Sequence, residues 1–215
     1  MKKMTYPSVL SIAGFDGSGG AGIQADLKTI SALGCYATTV LTALPVQNTT
    51  GVKSIFSIPV TVVEEQLKSI FDDILPSAIK IGMVHTPQLV ETIAKSLTEN
   101  PNIPVVFDPV MVATSGHKLI EDPTIKSIVT HLFPLASVIT PNMDEASLLA
   151  KMEVKSLDDM HTAGRKIMQL GCKSVLLKGG HLQTDILTSL YFKEDGSVIE
   201  YEYKRYETNN MHGSG

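Results

Sequence analysis

The sequence predicts an α/β fold: a mostly parallel sheet flanked by helices, with an antiparallel element near its end. Three observations carry that prediction. Short apolar runs alternate with stretches of helical period along the chain, as in strand–helix crossover units. Some runs, Val105-Val106-Phe107 among them, are apolar at every position, as strands buried on both faces are. The last two β-rich segments are joined by a turn short enough for a hairpin, Asp195-Gly196.

Each element follows in order. Ser8 to Ala13 reads as a first strand that runs into the glycine-rich segment Gly14 to Gly22. Ile23, Leu27 and Ile30 then recur at helical spacing, and Gly34 closes that helix. Tyr36 to Val46 is β-rich and reads as a single second strand. Val63, Leu67, Ile70, Phe71 and Ile74 form one helical face, and Ala78 to Ile81 is a short strand ending at Gly82. Thr86-Pro87 pairs an N-cap residue with a proline in the first turn, opening a helix with Leu89, Ile93 and Leu97 inward. Val105 to Phe107 is the next strand, ended by Asp108-Pro109, and Asp122-Pro123 repeats the cap-plus-proline start. Ser137 to Thr140 is a strand before Pro141-Asn142, Leu157 to Leu170 a helix with Gly171 as its left-handed cap, and Ser174 to Leu177 a strand. Ile186–Phe192 and Val198–Tyr206 close the series.

Composition narrows the function classes. The chain has 215 residues, suited to one domain, and 43% of them are apolar against 19% charged. Eighteen basic against twenty-two acidic residues give a net charge of −4, without the basic stripe of a nucleic-acid binder. No apolar run approaches the length of a membrane span, and the apolar run behind Lys2 and Lys3 is too short for a signal core. Two distant cysteines, Cys35 and Cys172, suit a reducing compartment, so a cytoplasmic protein is expected.

In open α/β sheets ligands bind beyond the carboxyl ends of the strands. The residues there are Gly14 and Asp16, Gln47 and Asn48, Gly82 and Met83, Asp108, Asn142 and Lys178. Gly17-x-Gly19-x-x-Gly22 matches a dinucleotide fingerprint in form, yet the second strand ends without the acidic residue that would hold a ribose. No lysine follows the glycines, so the phosphate-loop pattern is also absent. The glycines instead allow close backbone approach to a bound group. Asp108 reads either as a turn cap or as a carboxylate for Mg²⁺. Asn142-x-x-Glu145 is nearly a capping box, and its carboxylate can also order metal-bound water. Lys178, ahead of Gly179-Gly180, is either an exposed turn lysine or a cation facing a polyphosphate. Met83 and Met111 lie at strand ends, where a soft apolar wall suits a flat aromatic ligand. The six histidines show no metal-ligand spacing, and Ser18 lacks a nucleophile-elbow context. Gly213-Ser214-Gly215, placed ahead of a helix, would present N–H groups to an anion; read blandly, it is a frayed tail.

Together these segments resemble a known family. Ile12 to Lys28, Thr42-Ala43-Leu44 with Gln47-Asn48-Thr49, Lys80 to Met83, Asp108 to Met111, Thr140-Pro141-Asn142 with Glu145-Ala146, Lys178 to His181 and His212 to Gly215 follow in the right order. They resemble the bacterial hydroxymethylpyrimidine/phosphomethylpyrimidine kinases of thiamine synthesis. The resemblance implies a ribokinase-like three-layer sandwich, ATP and Mg²⁺ as cofactors, a small-molecule substrate and a homodimer. It implies that Gln47 holds the pyrimidine, with Gly14, Asp26, Met83 and Val110 lining its pocket. Asp108 and Glu145 would manage Mg²⁺, Lys178 and Thr208 would face the nucleotide phosphates with Asn142 beside them, and Gly213 to Gly215 would begin the anion hole. The family completes that hole with a Cys or Asp one residue later, the position after Gly215. Residues 1–215 are therefore expected to be a single ribokinase-like domain truncated before its last helices, weak in turnover as it stands. Pyridoxal kinase activity is the runner-up, and a non-catalytic pyrimidine- or nucleotide-binding protein the third reading.

Overall fold

The computed structural model describes residues 6–111 and 120–206. Its first strand, β1 (Ser8–Ala13), lies inside an eight-stranded sheet, flanked by β2 (Tyr36–Leu41) and β5 (Ala78–Ile81), both parallel to it. Beyond β5 come β6 (Val105–Phe107), β7 (Val138–Ile139) and β8 (Val175–Leu177), again parallel. Antiparallel β9 (Ile186–Phe192) and β10 (Val198–Lys204) finish that edge, so the order is β10-β9-β8-β7-β6-β5-β1-β2. Two further strands, β3 (Ala43–Asn48) and β4 (Gly51–Ser57), pair only with each other.

Six helices connect these strands: α1 (Gly22–Ala32), α2 (Val60–Asp73), α3 (Pro87–Thr98), α4 (Asp122–His131), α5 (Met143–Ala150) and α6 (Leu157–Met168). The core forms where they bury their apolar faces on the sheet. Leu10, Ile12, Ile79, Ile81 and Phe107 come from the strands, and Val63, Leu67, Leu89, Ile93 and Ile167 from the helices. Helix starts follow local chemistry. Thr86 accepts from the Leu89 N–H at 3.3 Å, with Pro87 in the first turn. Ser156 and Asp159 close a capping box on α6.

The mostly parallel sheet with its antiparallel end is the architecture the sequence predicts. Three details differ. The β-rich stretch Tyr36–Val46 is not one strand: it breaks at Thr42, whose N–H donates to the Ala13 carbonyl and whose hydroxyl donates to the Met83 carbonyl. The chain then leaves the sheet. Pro45 has no N–H to give to an interior ladder, and a two-stranded ribbon tolerates it. The ribbon's second strand, β4, has no counterpart in the sequence reading, because most of its side chains are exposed and show no buried alternation. Helix α4 takes Glu121 as N-cap instead of Asp122, with Asp122 and Pro123 already inside its first turn.

Candidate active site

Strand order locates the crevice. From β1 the chain turns outward to β2 on one side, and from β5 it proceeds toward β8 on the other. Loops part at such a switch point and leave room for a ligand at the carboxyl ends. Because β1, β5, β6, β7 and β8 are parallel, the residues that follow them share one rim: Gly14, Met83, Asp108, Thr140 and Lys178.

Three of these are in direct contact. Asp108 Oδ1 accepts from the Thr140 hydroxyl at 2.9 Å and from the Lys178 ammonium at 3.0 Å. The backbone sets this up: Asp108 N–H donates to the Ile81 carbonyl, Thr140 N–H to Phe107 and Lys178 N–H to Pro141. Each strand thus registers the next at its last residue. The Asp108 and Lys178 side chains stay about a quarter exposed, at 25% and 26%. Asp108 Oδ2 accepts nothing from the described residues. Thr140 has no place among the sequence-assigned site residues; its only signal was a hydroxyl at a strand end before proline.

Beneath this trio lies Glu145. The capping box on α5 is real: the Glu145 N–H donates to Asn142 Oδ1 at 2.9 Å, and the Asn142 N–H donates to Glu145 Oε2 at 2.8 Å. Met111 N–H approaches Glu145 Oε1 at 3.4 Å. Glu145 is only 3% exposed. Burial pushes its carboxyl up to about 7, against the Asn142 N–H that pulls it down; Asp108 nearby adds to the rise and Lys178 opposes it. The Asn142 side-chain amide N–H groups remain uncommitted among the described residues.

At the other end of the rim, Met83 Cε lies 3.0 Å from where a Gly14 Cβ would be, so glycine is what lets this methionine cover the end of β1. Met83 and Val110 are partly exposed there. Met111 is different. A tight turn, Val110 N–H to the Asp108 carbonyl, tucks its side chain fully into the core, so it forms no wall of an open crevice. The β3–β4 ribbon is rooted at the same end: Phe15 N–H donates to the Ala43 carbonyl, and Ser57 Oγ lies 2.8 Å from His85 Nε2. Gln47 rides on this ribbon at a register shift opposite Val52, half-buried, and its side chain makes no hydrogen bond with a described residue. The structure thus joins Asp108 to Lys178 directly, while Gln47 sits on the separate ribbon and hydrogen-bonds to neither.

The glycine-rich segment is organised by one side chain. Fully buried Asp16 accepts from the Ser18, Gly20 and Ala21 N–H groups and from the Ser18 hydroxyl. Those donors are spent internally, which explains why the loop lacks the features of a phosphate cradle. Asp26, on α1, accepts from Ser11 Oγ at 2.6 Å and pairs with Lys80 at 3.0 Å. Thr208, Gly213 and Gly215 lie outside the described residues.

Among the described residues no three His, Cys, Asp or Glu side chains gather as a cage for a metal ion. Mg²⁺ needs no such cage, since one or two carboxylates with phosphate oxygens and water suffice. The uncommitted oxygen of Asp108 fits that pattern. Glu145, with both oxygens turned to backbone N–H groups, stands behind it. No helix among the described residues is long and apolar enough to cross a membrane.

Comparison with known proteins adds the following. The family profile described as phosphomethylpyrimidine kinase matches residues 16–215. A hydroxymethylpyrimidine/phosphomethylpyrimidine kinase of Staphylococcus aureus is 42% identical over 99% of the chain and 78% of its own length. A thiamine biosynthesis bifunctional protein of Geobacter sulfurreducens is 43% identical over 97% of the chain, which spans only 42% of that longer protein. Among solved structures, phosphomethylpyrimidine kinase from Clostridium difficile superposes with a TM-score of 0.82 at 40% identity, over 92% of this chain and 84% of that one. An ADP complex of Bacillus subtilis pyridoxal kinase superposes with a TM-score of 0.89 at 36% identity, over 98% and 80% of the two chains.

Proposed function

The chain belongs to the phosphomethylpyrimidine kinase family, and from that premise we propose that it transfers the γ-phosphoryl group of ATP to 4-amino-5-hydroxymethyl-2-methylpyrimidine and then to the resulting monophosphate. In the first step the hydroxymethyl oxygen bonds to the γ-phosphorus, the bond to the β–γ bridging oxygen breaks, ADP departs and the hydroxyl proton passes to solvent water. In the second step a phosphate oxygen of the monophosphate attacks the γ-phosphorus of a second ATP, its β–γ bridge breaks, and a second ADP departs, giving the pyrophosphate.

The observation that carries this reading is the contact of Lys178 and Thr140 with Asp108 on the carboxyl rim. Phosphoryl transfer asks a protein mainly for positioning and charge neutralisation. Lys178 supplies a fixed cation for the nucleotide phosphates, and Asp108 with Thr140 keeps its ammonium at the rim. The Asn142 side-chain amide N–H, at the N-terminus of α5, is a second donor for an anionic ligand. The second oxygen of Asp108, with Glu145 behind it, would hold Mg²⁺, which would supply charge neutralisation for the phosphates. Gln47 pairs its amide donor and acceptor with the aminopyrimidine edge, and Gly14, Asp26, Met83 and Val110 line the ring's pocket. Thr208 and the anion hole begun by Gly213 and Gly215 complete the assignment. A homodimer in the cytoplasm is part of the same reading, consistent with two free cysteines.

One observation favours a second substrate, pyridoxal: the close superposition on the Bacillus subtilis pyridoxal kinase. Steady-state assays with ATP and each of the two rings decide. Higher kcat/KM on the pyrimidine and its monophosphate is expected; a preference for pyridoxal reverses the assignment, and no transfer to either ring refutes kinase activity.

A further inference from the structure

Beneath the crevice lies a charged pair that neither the capping of helices nor the phosphate site uses. Lys80, in the middle of β5, is the register partner of Ser11 in β1. Both approach α1, where Asp26 Oδ2 receives the Ser11 hydroxyl at 2.6 Å and the Lys80 ammonium at 3.0 Å. The side chains of Lys80 and Asp26 are only 26% and 16% exposed. On the opposite face of the same two strands Leu10, Ile12, Ile79 and Ile81 are wholly buried and apolar.

A charged pair in such a layer is a poor stabiliser. The desolvation of both groups roughly cancels their attraction, and apolar replacements of similar volume are often neutral or more stable. Its position suggests what it is kept for. A Cβ on Gly82 would lie 3.0 Å from the Lys80 ammonium, and the next residue, Met83, has its Cε 3.0 Å from where a Gly14 Cβ would be. The ammonium therefore reaches the floor of the crevice at the switch between β1 and β5, through space that glycine leaves open. Among the described residues neither group is saturated: Asp26 Oδ1 accepts no hydrogen bond, and Lys80 gives one, to Asp26.

We propose that Lys80 is a positioning residue for the ring substrate: by holding Asp26 Oδ2 against β1 and β5 it keeps Oδ1 of that carboxylate as a fixed acceptor at the crevice. This rests on the assignment of a hydroxymethyl-bearing ring to that crevice. Lys80 acts through Asp26, so its loss weakens capture of the ring and leaves the nucleotide side, at Asp108 and Lys178, untouched.

The test uses the full chain and three variants, Lys80→Met, Lys80→Arg and the pair Lys80→Met/Asp26→Leu. Binding of the hydroxymethylpyrimidine and of a non-hydrolysable ATP analogue is measured by calorimetry, with melting temperature and the KM–kcat split alongside. Lys80→Met is expected to weaken pyrimidine binding at least about tenfold, the loss of one charge-assisted contact. Analogue binding stays within about twofold of the parent, less than the loss of any one such contact. The paired apolar variant is expected to melt at or above the parent temperature while binding the ring no better than Lys80→Met, and Lys80→Arg to recover part of the affinity. Unchanged pyrimidine binding in Lys80→Met overturns the proposal. So does equal loss of pyrimidine and analogue binding together with a lowered melting temperature, the mark of a purely structural pair. If the parent binds pyridoxal and not the pyrimidine, the substrate assignment fails alone and the same series is read with pyridoxal. If the parent binds neither ring, both fail.

Discussion

Lys178 and Asp108, seventy residues apart in sequence, meet at 3.0 Å on the carboxyl rim, and Thr140 donates to the same carboxylate oxygen. Two donors on one oxygen fix the carboxylate plane and leave its other oxygen uncommitted among the described residues. In the proposed function, that free oxygen and the Lys178 cation are what would receive a metal–nucleotide complex.

Removing the cation is the most direct check. Lys178→Met is expected to raise KM for ATP and to lower kcat by about a hundredfold or more, the scale of losing one preorganised charge-stabilising donor. Steady-state kinetics with ATP varied at saturating pyrimidine measures both. Parent-like kinetics would remove Lys178 from the nucleotide site.

Thr140→Val keeps the side chain's shape and deletes one donor to Asp108. Asp108 retains Lys178, so folding stability is expected to fall by only about 1 kcal/mol, read by urea denaturation. The kcat/KM for ATP is expected to fall about tenfold, a change of about 1.4 kcal/mol in transition-state stabilisation. A stability loss without a kinetic effect would make Thr140 a structural residue.

Glu145 gives the protein a pH dependence of defined sign. Its carboxyl titrates near 4.5 when unfolded and at about 7 when folded, so the folded state holds the extra proton between those values. Stability from this group therefore falls as pH rises from about 4.5 to about 7, by a total on the order of 3 kcal/mol. Glu145→Gln is expected to flatten the denaturation midpoint across that window. A midpoint equally steep in the variant would assign the slope to other groups.

Packing between α6 and β9 supplies a stability test away from the site. A Cβ on Gly164 would lie 2.1 Å from the Phe192 ring, so Gly164→Ala forces helix and strand apart. A loss of about 1–3 kcal/mol is expected, as for other overpacked cores. KM for ATP and for the pyrimidine should remain parent-like in the folded fraction, since neither residue touches the rim.

Much of this was legible in the sequence. Val105 to Phe107 followed by Asp108, and Thr86-Pro87 ahead of an amphipathic run, are local signals, and local hydrogen bonding decides them. Asn142 and Glu145 likewise form the capping box their spacing predicts. Strand β4 was hidden because its side chains are mostly exposed, so neither alternation nor an apolar run marks it. Met111 differs from its sequence expectation for a related reason: distance along the chain from a strand end does not reveal which way the following turn points, and here it points into the core.

By itself the sequence determined the alternation of strands and helices, the caps, and which polar residues stand at strand ends, since each depends on neighbours a few positions away. Only the tertiary structure decided that Thr42 breaks a β-rich run and sends Gln47 onto a separate ribbon, that Thr140 shares an oxygen of Asp108 with Lys178, and that Lys80 pairs with Asp26 beneath the crevice. Those relations depend on strand order and register across the sheet, set by how the apolar faces of distant segments are buried together, and no short-range pattern encodes them.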